Sequence, residues 1–89
     1  MEIKIIGSNS KEGIIYKKRV LEAVMEIDEA VTISLIDDID IIRKYNIIKK
    51  PALVINDDIT IEGRMIATKE LVKLLKSKCE KKEVQIIKL

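Results

Sequence analysis

The stretch Asp37–Asn56, DDIDIIRKYNIIKKPALVIN, decides how this chain is read. Asp37 or Asp38 supplies an N-cap for a short helix, Ile39–Tyr45, because a carboxylate there satisfies free backbone N–H groups and faces the positive end of the helix dipole. Ile39 and Ile42 lie one turn apart on the inner face of that helix. Asn46 is a suitable left-handed C-cap. Pro51 then opens ALVI, an unbroken apolar run of the kind found in strands covered on both faces. Proline is tolerated at the first position of a strand, where its missing N–H is not needed.

Working outward, the pattern extends in both directions. Residues 2–6, EIKII, alternate and are β-branched, which predicts a strand. Gly7–Glu12 is rich in turn formers. From about Gly13 to Asp28 the period becomes helical. Val20, Ala23, Val24 and Ile27 form the inner face, with Ile14 and Leu21 beside them and Ser10 or Asn9 as N-cap. Val31–Ile36 alternates as a second strand. Asn56-Asp57-Asp58 is turn chemistry joining ALVI to Ile59–Glu62, which makes a hairpin. Gly63 breaks the pattern, and Thr68 is the expected cap of a last helix carrying Leu71, Val72, Leu74 and Leu75. The order is β-α-β-α-β-β-α. It predicts an α/β domain with a four-stranded mixed sheet flanked by helices, its first βαβ unit parallel and right-handed.

Composition narrows the function classes. The chain has 89 residues, enough for one small domain. Its 17 basic and 15 acidic residues give a net charge of +2 and are interleaved, so no nucleic-acid footprint is present. The two aromatics, Tyr16 and Tyr45, are too few for a base-stacking platform. The start carries Glu2 and Lys4 and is not a signal peptide, and no run approaches the roughly 18 apolar residues of a membrane span. These features predict a cytoplasmic protein with no membrane partner. One cysteine, Cys79, and no histidine leave no Cys/His metal site, and the aspartates match no calcium loop. No metal or other cofactor is implied.

The element order, with a proline opening the third strand, resembles the small thioredoxin-like "redox-active disulfide" proteins. The match is most specific over residues 37–56. MEIKIIG resembles the family's first strand and glycine, and IEGRMIATKELVKLLK, residues 61–76, its last strand, Gly-Arg turn and final helix. The resemblance spans about residues 1–77 and implies a minimal thioredoxin fold. Residues 78–89 fall outside it as a C-terminal extension. Within that extension Val84–Leu89 reads either as an extra strand, in its own chain or in a second copy, or as a flexible terminus.

In that family the loop after the first strand carries Cys-x-x-Cys at the start of the first helix. Unpaired N–H groups and the helix dipole there lower a thiol pKa and populate the nucleophilic thiolate. The equivalent positions in this chain are Ser10 and Gly13. A serine hydroxyl cannot replace a thiolate in disulfide exchange, and glycine has no side chain to resolve a mixed disulfide. Capping accounts for Ser10 in structural terms. The resemblance also implies a cis Lys50–Pro51 bond beside the loop, where the family's backbone pairs with an extended peptide or glutathione. The alternative is that Pro51 only starts a strand. Lys50 stands where the family tends to have threonine, and its charge favours an anionic partner. Cys79 is either a small core or boundary residue or a thiol activated by Lys78, Lys81 and Lys82.

Three functions follow. The first is a redox-inactive binding module with Ser8, Asn9, Ser10, Lys50 and Pro51 around a groove for a peptide, a thiol compound or a protein. The second is a thiol-disulfide oxidoreductase-type protein working through Cys79. The third is an assembly protein, a homodimer for example, that pairs through its C-terminal segment.

Overall fold

The computed structural model describes residues 1–79 and 87–88. Seven elements follow one another: β1 (Glu2–Ile6), α1 (Lys11–Val24), β2 (Thr32–Ile36), α2 (Ile39–Lys44), β3 (Ala52–Ile55), β4 (Asp58–Glu62) and α3 (Thr68–Lys78). The strands form one mixed sheet in the order β2-β1-β3-β4. β1 and β2 are parallel, pairing Ile3 with Ile33 and Ile6 with Ile36. β3 runs antiparallel to β1, and β4 antiparallel to β3. Most of the candidate C-terminal strand, Val84–Leu89, lies outside the described residues.

Alternation in the strands distributes the core onto two faces. Ile3, Ile5, Leu53, Ile55 and Ile61 meet Tyr16, Val20 and Ala23 of α1 and Leu71, Val72 and Leu75 of α3. On the opposite face Ile6, Ala52 and Val54 meet Ile42 of α2. Every residue of ALVI is buried, as a strand covered on both faces requires. α2 is too short to cover its face of the sheet alone. Lys4 covers part of the remainder: its ammonium donates to the Tyr45 hydroxyl at 2.6 Å and pairs with Glu2 at 3.0 Å and Asp57 at 3.2 Å. These acceptors hold the Lys4 pKa above the ordinary lysine range, the Tyr45 bond foremost.

The hairpin turn follows its residues. Asn56 and Asp57 both take left-handed backbone angles, φ 49° and 66°, as a two-residue type I′ loop demands. Asn46 closes α2 with φ 54°, the expected left-handed position.

Four local readings are corrected. α1 begins at Lys11 and ends at Val24, short of Asp28, because Glu26 and Ile27 bond back three residues and tighten the last turn. Ile14 and Leu21 are exposed, and Tyr16 occupies the centre of the helix–sheet contact. Ile39 is exposed as well, since a six-residue helix brings only Ile42 fully against the sheet. Thr68 is the first residue of α3 and not its cap. Ala67 holds the cap position without a side-chain bond, while the Thr68 hydroxyl donates to Glu22 on α1 at 3.2 Å.

Candidate functional site

Topology brings the candidate residues together. β1 and β2 are parallel, so both end at the same edge of the sheet, and antiparallel β3 begins there. The loop Gly7–Ser10, Asp37 at the end of β2, and Lys50–Pro51 before β3 therefore converge at one place.

Each residue of the loop has a defined partner. Gly7 takes φ +75° and donates its N–H to the Ile36 carbonyl at 2.9 Å, which extends the β1–β2 ladder by one bond. Ser8 is buried, and its hydroxyl donates to Asp37 Oδ2 at 2.5 Å. The Asn9 N–H donates to the other oxygen, Oδ1, at 3.0 Å. The Ser8 hydroxyl above all, with the Asn9 N–H and the Lys50 charge, lowers the Asp37 pKa below the ordinary carboxylate value. Asp37 thus remains ionised and straps the loop to β2. The sequence offered Asp37 only as a helix cap. Asp38 takes that role, accepting from the Asp40 N–H at 2.8 Å. The strap was legible in principle: parallel pairing of residues 2–6 with 32–36 puts residue 37 beside residues 7–9.

Ser10 and Gly13 form a capping unit. Ser10 accepts from the Gly13 N–H at 3.0 Å and donates its own hydroxyl proton to the Gly7 carbonyl at 2.9 Å. Gly13 is buried against the loop backbone. A Cβ built there would sit 2.1 Å from the Gly7 oxygen and 2.7 Å from Ser8 Cα. Glycine stands at position 13 because no other side chain fits this loop.

The other wall is residues 47–51. The Lys50–Pro51 peptide bond is cis, and Pro51 is buried. The aliphatic stem of Lys50 lies across Gly7, where a Cβ would meet Lys50 Cβ and Cδ at 3.1 Å. The Lys49 stem lies against Gly63 in the same way. Glu62 accepts from the N–H groups of Ile48 and Lys49, and the Gly63 N–H donates to the Pro51 carbonyl at 3.0 Å, which ties this wall to the end of β4. Ile48 is 88% exposed. Asn9 and Lys50 face solvent, Ser10 is half-buried, and Ser8 and Pro51 lie beneath the surface. Lys49, Lys50, Asp37 and Glu62 are charges around the junction of the loop and this wall. No base approaches the Ser10 hydroxyl, which is already paired, and the hydroxyl that does meet a carboxylate, Ser8 on Asp37, is buried.

Cys79 is elsewhere. It ends α3 and is half-buried near Glu29, in the connection that leads into β2. That connection lies at the opposite end of the strands from the loop, about 15 Å away for five residues of strand. The Glu29 carboxylate, then partial burial, pushes the Cys79 pKa up, and Lys76 opposes this only weakly. Of the lysines expected to activate this thiol, Lys81 and Lys82 lie outside the described residues; among the described groups the Glu29 carboxylate disfavours the thiolate.

A parallel βαβ unit, an antiparallel hairpin and a proline facing the first loop define a thioredoxin-like protein. Comparison with known families agrees: the thioredoxin domain profile matches residues 1–76, and the chain belongs to that family. No curated protein and no solved structure matches it. Among the described residues no helix is long and apolar enough to cross a membrane.

Proposed function

We propose that this protein is a redox-inactive thioredoxin-like binding module that holds a partner in the cleft between Asn9–Ser10 and Lys50–Pro51. The observation that carries the reading is the closed Ser10–Gly13 unit. Its hydroxyl is committed to the Gly7 carbonyl and the Gly13 N–H, and Gly13 has no room for a thiol-bearing side chain. The scaffold around it is intact, so selection for recognition accounts for what is kept better than selection for disulfide exchange. Recognition here uses exposed groups: the Asn9 amide, the Lys49 and Lys50 ammonium groups and the apolar Ile48. The Asp37 and Glu62 carboxylates are already committed to hydrogen bonds, whereas the Lys50 ammonium faces solvent, which favours an anionic peptide or thiol compound.

The competing reading, a single-thiol oxidoreductase, requires a reactive Cys79. Its raised pKa and its position beyond the sheet oppose that reading. Insulin reduction with dithiothreitol separates the two. The expected rate equals the uncatalysed rate, for the wild type and for Cys79→Ser alike. Turnover that disappears in Cys79→Ser would overturn the redox-inactive reading. Binding is tested with reduced glutathione as an anionic probe. Amide shifts concentrated at Asn9, Ile48 and Lys50, and lost in Lys50→Glu, support the cleft. Shifts centred on Cys79 would refute it.

A further inference from the structure

The two edges of the sheet differ in a way the cleft does not explain. The β4 edge is guarded: it begins with Asp58, ends with Glu62, and carries an irregular step where Leu53 pairs with Ile61 but Val54 pairs with Ile59. Charges and bulges of this kind discourage pairing with another strand. The β2 edge, TISLI, has no charge, no proline and no bulge, and pairs with β1 in unbroken register. Its backbone is ready for a partner. The Thr32 N–H donates to Met1 and the Ile36 carbonyl accepts from Gly7, so the even-numbered residues face β1. By the alternation of a parallel ladder, Ile33 and Leu35 direct their N–H and C=O groups outward.

Among the described residues, apolar side chains near that edge are exposed. Arg19 and Glu22 of α1 bond to the Ile66 carbonyl and Thr68, so α3 lies on their side of α1. Ile14, Lys17 and Leu21 fall on the opposite flank at helical spacing. All three are exposed, as is Leu35 on β2 at 46%.

We infer that the β2 edge is a self-association surface, on which a second copy of this chain pairs its own β2 antiparallel about a two-fold axis at Ser34. That register exchanges hydrogen bonds between Ile33 of one copy and Leu35 of the other, and again in reverse, leaving Ser34 opposite Ser34 as the non-bonded pair. Ile33 then faces Leu35 on the helix side, and Thr32 faces Ile36 on the other. No charge lies within either strand, and a net charge of +2 gives little long-range repulsion between copies. Five residues of strand bury too little for a stable interface of about 800 Å² per partner. The exposed flank of α1 supplies the remaining apolar contact.

The test uses the full chain. Sedimentation over a concentration series is expected to show a dimer that dissociates on dilution. Leu35→Lys adds a charge on an exposed side chain of β2 whose own backbone groups point away from β1. It should yield a monomer with unchanged far-UV circular dichroism and a melting temperature matching that of the wild type diluted to monomer, weakening association at least ~10-fold, about 1.4 kcal/mol. Hydrogen exchange reads the register directly. The Ile33 and Leu35 amides should be protected in the dimer and exposed in Leu35→Lys, while Thr32, Ser34 and Ile36 stay protected in both. A second substitution pair, Val84→Lys with Ile86→Lys, is expected to leave the dimer intact. A wild type that is monomeric throughout, a Leu35→Lys variant that still dimerises, or a dimer lost in the tail variant would each overturn the inference, the last by making the C-terminal segment the occupant.

Discussion

Gly13→Ala is the most direct probe of the loop, because two physical effects predict opposite signs. Gly13 lies in the first turn of α1, and replacing a helical glycine with alanine ordinarily stabilises by about 1 kcal/mol. Here the added methyl would stand 2.1 Å from the Gly7 carbonyl oxygen and 2.7–2.8 Å from Ser8 Cα and C. These are backbone atoms, so relief requires the loop to move by about an ångström. Overpacking of this kind typically costs about 1–3 kcal/mol. Displacing the Gly7 carbonyl also loosens the Ser10 cap, which contributes about 1 kcal/mol. The propensity gain cancels roughly the cap term, leaving a net loss of about 1–3 kcal/mol. A chain of 89 residues has roughly 4–13 kcal/mol of stability in total. The expected fall in melting temperature is therefore roughly 5–20 °C, at about 4–8 °C per kcal/mol. Thermal unfolding followed by circular dichroism measures it, and urea denaturation measures the loss in kcal/mol. A Gly13→Ala protein as stable as the wild type, or more so, refutes the close approach of loop and helix. The same geometry predicts that Ser10→Cys with Gly13→Cys does not restore a working dithiol without rearranging the loop.

Two further outcomes follow from the electrostatics. Asp37 has a folded pKa below its unfolded value, so its bonds to Ser8 and Asn9 contribute stability that is complete above about pH 4 and is lost as pH falls through the folded pKa. Asp37→Asn should thus be destabilised at pH 7 but approach the wild type near pH 2, read from urea midpoints at both values; a difference that grows on acidification contradicts the strap. Lys4→Met keeps the aliphatic stem over the sheet but removes the bonds to Tyr45, Glu2 and Asp57, and should lower the urea midpoint, with most of the loss reproduced by Tyr45→Phe. An unchanged urea midpoint in Lys4→Met would show that the cluster adds nothing.

Much of this protein was legible in its residues because local rules and packing agreed. EIKII, ALVI, the Asn56-Asp57 turn and the proline before the third strand each satisfy a short-range requirement, and together they determine the element order and sheet type. The Ser10 cap was legible for the same reason: a hydroxyl at the start of a helical period has one dominant use. Thr68 failed by that rule, since the tertiary contact with Glu22 drew its hydroxyl away. Tyr16 was passed over because an aromatic hydroxyl gives no clear sign of burial, yet burial pushes its pKa up to about 12 and its ring fills the centre of the core.

What the tertiary structure alone decided depends on partners distant in sequence. Asp37 became a strap only because parallel pairing carries it to Ser8 and Asn9, 29 and 28 residues away. Gly13 became irreplaceable only because the Gly7 carbonyl folds back onto it, a contact that no periodicity encodes. The Cys79 pKa is raised because Glu29, from another connection, lies beside it. The sequence determines by itself which segments are strands and helices and that the dithiol is missing, because those follow from residue type and spacing. Whether the Gly7–Gly13 loop is open or closed is set by hydrogen bonds and van der Waals limits between segments that only the folded chain brings together.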